Sequence, residues 1–337
     1  MRLGLGVVAL LGSALLACGA PSEPQVDGGA CTPPFSGAGA VIASGLSYPR
    51  HLAGNAQRLY ATEVGVLNKP RGRVLAIDPD GGVTELATGR SSPDALAVDE
   101  AALYWVDEGG LWRYPLPSGP AQLLDSKVNG ALQGNTSIAL TATQVLYATG
   151  QSYLELADKE GQTHTTLFTG APGAVVRAAA VADGKGYFLY SGGADAGLYE
   201  VSLTGAPNPT RVSDAPVDGR DLLVTSGAFL WATGGSGSGT VQSLARPSGA
   251  PVDLVTGLAG PVALTPVGDF TYFEDSTAGS DGGTGFLQVA APCLGTSPIP
   301  VGPIGQGPGD LLYDPDGGGL FFTSYAGSGQ GWVGRIP

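Results

Sequence analysis

The stretch ALYWVDEGGLWRYPLPSG (residues 102–119) decides the fold. It holds two short aromatic runs, Leu103-Tyr104-Trp105 and Leu111-Trp112-Arg113-Tyr114, parted by Glu108-Gly109-Gly110 and followed by Pro117-Ser118-Gly119. Aromatic and branched residues in short runs bounded by Gly, Pro and Ser are strands joined by tight turns. The run also recurs. Aligning on Leu103-Tyr104-Trp105 finds related triplets starting at Leu59, Leu146, Tyr187, Phe229, Thr271 and Leu320, with successive spacings of 44, 43, 41, 42, 42 and 49 residues. A period in the forties with four short strands per unit is the mark of a β-propeller.

Each unit supports that reading separately. Seven to nine residues before each anchor lies a small apolar run, such as HLAG (51–54), ALAVD (95–99), DLLVT (221–225) or DLLYD (310–314), suited to a crowded innermost strand. After each anchor comes a third run, among them RVLAID (73–78), YLELAD (153–158) and LYEVSL (198–203), and then a turn rich in Gly, Asp, Ser and Pro. Outer runs such as VTELATG (83–89), TTLFTG (165–170) and VDLVTG (252–257) close the units. The seventh unit stops after GWVGRIP (331–337), one strand short. AVIASG (40–45) resembles the outer runs and stands one period, 44 residues, before TELATG. The expectation is therefore an all-β, seven-bladed propeller over residues 39–337, its ring closed by the N-terminal strand pairing into the last blade; six or eight blades are the alternatives.

Composition agrees. The 337 residues include 56 Gly and 26 Pro with only 13% charged residues, and 43% are hydrophobic, enough for a large core with many turns. Arg2 followed by the apolar run Leu3–Leu16 reads as a targeting segment, too short to span a bilayer. It ends in Leu15-Leu16-Ala17-Cys18, which resembles a bacterial lipobox and implies a signal peptide over 1–17, cleavage before Cys18 and lipidation of Cys18. An ordinary secretory signal cut nearby is the alternative. Acyl chains anchor at about 0.8 kcal/mol per buried methylene. Gly19 stands where an inner-membrane retention signal would carry Asp, which implies the outer membrane of the cell envelope. Residues 18–38, poor in large apolar side chains, read as a flexible tether. After cleavage 15 basic residues face 29 acidic ones, a net −14 that repels nucleic acid and anionic lipid. The chain is expected to be a monomer that binds no nucleic acid.

Of the three cysteines, Cys18 is assigned to lipid, leaving Cys31 and Cys293. The envelope permits disulfides. Cys293 falls in the turn between the third and fourth strands of the sixth blade, and the nine residues from Cys31 to Ala40 reach about 30 Å. A Cys31–Cys293 bridge is the expected pairing, pinning the closing strand.

Catalytic groups are sparse. Of two histidines, His164 belongs to an outer strand and His51 enters the first inner strand. Only His51 could serve as a base, and the other reading is a polar residue at the channel mouth. DPDGG (78–82) and DPDGGG (314–319) lack the ligand spacing of an EF-hand loop and suit hairpin turns, while GGSGSG (234–239) precedes no helix. No metal-ligand cluster at short spacing is present and no cofactor is implied. The informative set is different. Arg50, His51, Asp94, Asn135, Arg177, Arg220, Asp221 and Asp310 all lie where chain enters an inner strand, so a closed ring brings them to one mouth of the channel. Glu63, Glu274 and Asp275 are expected on longer loops of the same face.

Tyr104-Trp105-Val106-Asp107 followed by GGLWRYPLPSG resembles one repeat of the YWTD and NHL type of propeller. Those families usually have six blades and mostly bind proteins or glycans, which implies an envelope protein or glycan as partner and a ligand-binding or scaffold role. Gluconolactonase-like propellers look similar too. They hold a divalent metal through Glu, Asn and Asp, which would give Asn135 and Asp94 such roles and imply a metal-dependent lactonase or hydrolase. Where that family would place Glu, this sequence has Arg50-His51.

Overall fold

The computed structural model describes residues 31–337 except positions 38, 56–57, 66–70, 127–135, 217, 235–236, 277–284, 292–293, 295–296, 306, 315–318, 327–328 and 337. Two compact units divide the chain, Met1–Thr32 and Pro33–Pro337. Cys18 and Cys293 lie outside the described residues, as does the DPDGGG stretch at 315–318.

The second unit consists of seven four-stranded antiparallel sheets, and no α-helix occurs among the described residues. Blade 1 runs outward through Pro49–Gly54, Leu59–Glu63, Gly72–Ile77 and Val83–Arg90. The inner strands of blades 2 to 7 are Leu96–Val98, Thr136–Leu140, Val175–Ala182, Gly219–Val224, Pro261–Val267 and Gly307–Asp314. These strands pack in chain order and the last returns to Pro49–Gly54, so the ring is closed. Every anchor triplet lies in the second strand of its blade.

The opening stretch is the second and third strands of blade 2, Ala102–Asp107 and Gly110–Pro115. They pair from Ala102↔Pro115 to Asp107↔Gly110, which leaves Glu108-Gly109 as a two-residue hairpin turn. Gly110 is required there: its φ is +141° and an added Cβ would lie 2.0 Å from the Asp125 carbonyl oxygen. DPDGG is also a turn, with Gly81 N–H donating to Asp78 O at 2.8 Å.

Closure is as the repeat requires. Ala40–Ser47 pairs antiparallel with Gln330–Ile336 as the fourth strand of blade 7, in register from Ala40↔Arg335 to Ser47↔Gln330. Ala43 and Leu46 are both buried although three residues apart, because a bulge between Ser44 and Leu46 resets the alternation, and Val41 is left exposed. Phe35, within the stretch read as tether, docks at the joint of blades 6 and 7. Its N–H donates to the Tyr272 hydroxyl at 2.9 Å, and its ring meets Tyr272 and Tyr313 at centroid distances of 6.0 and 5.8 Å.

The core is divided. Seven clusters of buried apolar side chains each fill one joint between neighbouring blades, because both faces of every blade are covered. The largest fully buried side chains, Trp105, Trp231, Tyr104, Tyr147 and Tyr272, come from the second strands, where the wedge between blades is wide enough for rings.

Candidate functional site

Inner strands crowd so closely that polar groups near their N-terminal ends reach the next blade. Asp221 and Asp310 occupy the same place in two DLL repeats and are wired identically. Each uses Oδ1 to accept the N–H of its own following leucine, Leu222 at 2.7 Å and Leu311 at 2.9 Å. Each uses Oδ2 to accept a leucine N–H from the next blade, Leu264 at 2.6 Å and Leu52 at 2.8 Å. Hydroxyls do the same work at other joints. Thr62 and Thr323, three residues after their anchors, donate to Asp94 O at 2.8 Å and Arg50 O at 3.0 Å. Ala95 N–H donates to Thr136 Oγ1 at 2.9 Å, Ala179 N–H to Ser137 Oγ at 3.0 Å, and Gly309 N–H to Glu274 Oε2 at 2.7 Å. With the Arg177–Asp218 ion pair at 3.2 Å, every joint of the ring has a polar tie beside the channel. Buried N–H and C=O groups at strand ends are costly unless paired, so these ties fix the geometry of the mouth.

The mouth is a cavity of about 460 Å³. Arg50, His51, Asp94, Arg177, Arg220, Asp221 and Asp310 all line it, together with Thr136 and Ser137. Seven of the eight sequence-derived residues therefore converge, and Asn135 lies outside the described residues. Glu63, Glu274 and Asp275 do not line this cavity. They sit in second strands as buried acceptors: Glu63 takes Ser47 N–H at 2.8 Å and Arg73, and Asp275 takes Gly260 N–H at 2.7 Å. Burial pushes the Glu274 carboxyl well above the ordinary range, only partly offset by the Gly309 N–H.

His51 is the centre of charge on one wall. Its Nε2 stands 3.2 Å from Asp94 Oδ1 and its Nδ1 3.4 Å from Asp310 Oδ2. A neutral imidazole has one N–H, and two carboxylates on opposite ring nitrogens require both. Burial alone would lower the His51 pKa, but the hydrogen bonds and charges of Asp310 and Asp94 outweigh it and raise it to about 10. Burial also opposes ionisation of Asp94, and the His51 contact, with Arg50 nearby, holds that carboxyl below its usual range. Asp221 is raised by burial, with the Leu264 N–H working in the opposite sense. His51 is thus a fixed imidazolium rather than a base. Because its folded pKa lies above the 6.5 of free imidazole, the stabilisation it gives is complete below pH 6.5 and is lost as pH climbs through about 10. Thermal melts should show an alkaline decline in the wild type that is much smaller in His51→Gln, with the variant already less stable near neutrality. Equal alkaline declines in both proteins would refute the clamp.

His164, on an outer strand of blade 3, is remote from the mouth. Its Nε2 meets Asp125 at 2.8 Å and Glu155 at 3.1 Å, and the buried Tyr147 hydroxyl bonds Asp125.

A divalent ion held as in gluconolactonase-like propellers does not fit these residues. The position of its Glu is taken by Arg50-His51, and Asp94 faces a cation already in place. Among the described residues no three His, Cys, Asp or Glu side chains converge as metal ligands.

No family model matches the chain, and no curated protein does. Solved structures share its fold. The extracellular domain assigned to a hybrid two-component system of B. thetaiotaomicron is 10% identical, with a TM-score of 0.64 over 90% of this chain and 40% of that one. Kuenenia stuttgartiensis hydrazine synthase is 15% identical at a TM-score of 0.61, covering 86% and 95% of the two chains. An oligogalacturonate lyase in complex with manganese is 14% identical at 0.58, covering 91% and 92%. Likeness at this identity establishes the β-propeller and nothing of function.

Proposed function

We propose that this chain is a binding propeller of the bacterial cell envelope, anchored to the outer membrane through Cys18 and holding a ligand or partner at the channel mouth. The observation that carries the reading is the convergence of Arg50, His51, Asp94, Arg177, Arg220, Asp221 and Asp310 from five blades onto one cavity. Ligand sites are concave, about 300–1,000 Å³, with a few convergent polar groups that fix the ligand, and this mouth has the size and the convergence. The anchor rests on the Leu15–Cys18 lipobox-like sequence, and a Cys31–Cys293 bridge would pin the closing strand. An envelope protein or glycan is the class of partner that the YWTD-type resemblance suggests.

The alternative is a metal-dependent lactonase or hydrolase. A manganese-bound lyase on the same fold shows that such a ring can serve an enzyme, but the clamped His51 supplies neither a ligand nor a base, and no step is assigned to it.

Two tests apply. Cys18→Ala should move the protein from the membrane pellet to the soluble fraction, since acyl chains supply the anchor. Retention in the pellet would reject it. A library of envelope glycans and small molecules screened by thermal shift should yield hits whose shift disappears in Arg220→Ala; hits indifferent to Arg220, Arg177 and Asp94 would move the site elsewhere.

A further inference from the structure

The hydrogen-bonding capacity left at the mouth is one-sided. The acids that line or adjoin it are spent. Both oxygens of Asp221 accept backbone N–H groups. Asp310 accepts the Leu311 and Leu52 N–H groups and faces His51. Asp94 faces His51, and Asp218 pairs with Arg177. Of the cations, His51 is held by Asp94 and Asp310, and Arg177 by Asp218 and the Ser191 hydroxyl, but two are not spent. Arg50 and Arg220 line the cavity and form no ion pair among the described residues, and Arg220 is exposed. Arg50 Nε is buried with no hydrogen-bond partner among them. Each guanidinium offers five N–H donors in a planar fork that matches oxyanions. Whatever fills the mouth must bring acceptors.

The ring also fixes where those donors stand. Blade 1 of a seven-membered ring faces the joint between blades 4 and 5. Arg50 is therefore across the channel from Arg177 on blade 4 and Arg220 on blade 5. A ligand with a single anionic group can satisfy one wall only, and a ligand with two can satisfy both.

Resting on the reading that the mouth is the binding site, we propose that its ligand is a compact polyanion with at least two oxyanion groups, bridging Arg50 on one wall and Arg220 on the other. The groups are carboxylates or phosphates, both of which take the guanidinium fork in two parallel bonds. The body of the protein is acidic, with a formal net charge of −13, so attraction for such a ligand comes from these local donors and not from the long-range field.

The test is calorimetric titration of the mature protein in phosphate-free buffer at low ionic strength. The probes are succinate, citrate and inorganic pyrophosphate, with acetate as the single-charge control and maltose and calcium chloride in parallel. One polyanion per chain should bind, more tightly than acetate. Arg220→Ala and Arg50→Ala should each weaken it about tenfold, about 1.4 kcal/mol. Arg58→Ala, an exposed pair with Asp78 remote from the mouth cavity, should leave it unchanged. Succinate and citrate against pyrophosphate separates the carboxylate from the phosphate source. Arg220 is exposed, so loss of binding in Arg220→Ala with an unchanged melt cannot be a folding defect. Polyanion binding no tighter than acetate, or unmoved by Arg50→Ala and Arg220→Ala together, would overturn the proposal. If maltose or calcium then binds and Arg220→Ala or Asp94→Asn abolishes it, the mouth stands as the site and only the polyanion class falls. If no probe distinguishes these variants, both fall.

Discussion

A chain that begins at Tyr48 should not fold cooperatively. It lacks Ala40–Ser47, the outer strand of blade 7, and with it the ladder from Ala40↔Arg335 to Ser47↔Gln330. Two well-buried apolar side chains go too, Leu46 at 3% and Phe35 at 8% exposure. Each is worth about 1.5–3 kcal/mol of burial, and Ala43 and the ladder bonds add to it. The sum reaches the range of a whole domain's stability, about 5–15 kcal/mol. Gln330–Ile336 would become a bare edge carrying Trp332 and Val333, open to pairing with other chains. Sedimentation and circular dichroism should show aggregation with no sharp melt. Leu46→Asp in the full chain should be milder, folded but less stable. A truncated chain that stays monomeric and melts like the full protein would show that the ring does not depend on this strand.

Asp107→Ala should cost about 3–5 kcal/mol, as for other buried charges stripped of a partner. Asp107 is 1% exposed at the end of the second strand of blade 2. Its Oδ2 accepts Arg90 Nε at 2.7 Å and Trp105 Nε1 at 3.2 Å, while Oδ1 accepts Trp112 Nε1 at 2.9 Å and Gly109 N–H at 2.7 Å. Arg90 also lies 3.7 Å over the Trp112 ring, so the charge cannot swing to solvent without losing that contact. Removing the carboxylate strands a guanidinium, two indole N–H groups and a turn amide at once. Asp107→Asn keeps an acceptor but not the charge and should fall between. Urea unfolding gives the values; a loss in Asp107→Ala within about 0.5 kcal/mol, typical of surface sites, would mean that Arg90 finds another partner.

Blade number, strand order and ring closure were legible because each depends on local pattern. Anchor triplets, turn residues and the stray outer strand AVIASG all recur at one period. The site was legible to the extent that the repeat placed polar residues at inner-strand entrances. What joins those residues was not, because each tie crosses between blades. Asp310 to Leu52 spans 258 positions and Asp221 to Leu264 spans 43. A signal existed in register. Thr62 and Thr323 stand three residues after their anchors, where their hydroxyls donate to backbone carbonyls of the next blade, and Glu63, Asp107 and Asp275 stand four after, where strand ends meet backbone N–H groups of loops and turns. Glu63, Glu274 and Asp275, expected on longer loops of the mouth's face, sit instead in second strands, where backbone amides from neighbouring segments hold them. The unusual charge of His51 was hidden for a related reason. Its two carboxylates arrive from blades 2 and 7, on either side of its own.

The most direct measurement is arginine footprinting with phenylglyoxal, read by mass spectrometry, on the protein in intact cells and again after purification. If the mouth holds a ligand or partner, Arg220 is protected in the cells and reactive once purified, while Arg58 reacts alike in both. Equal modification of Arg220 in the two preparations would contradict a mouth that binds.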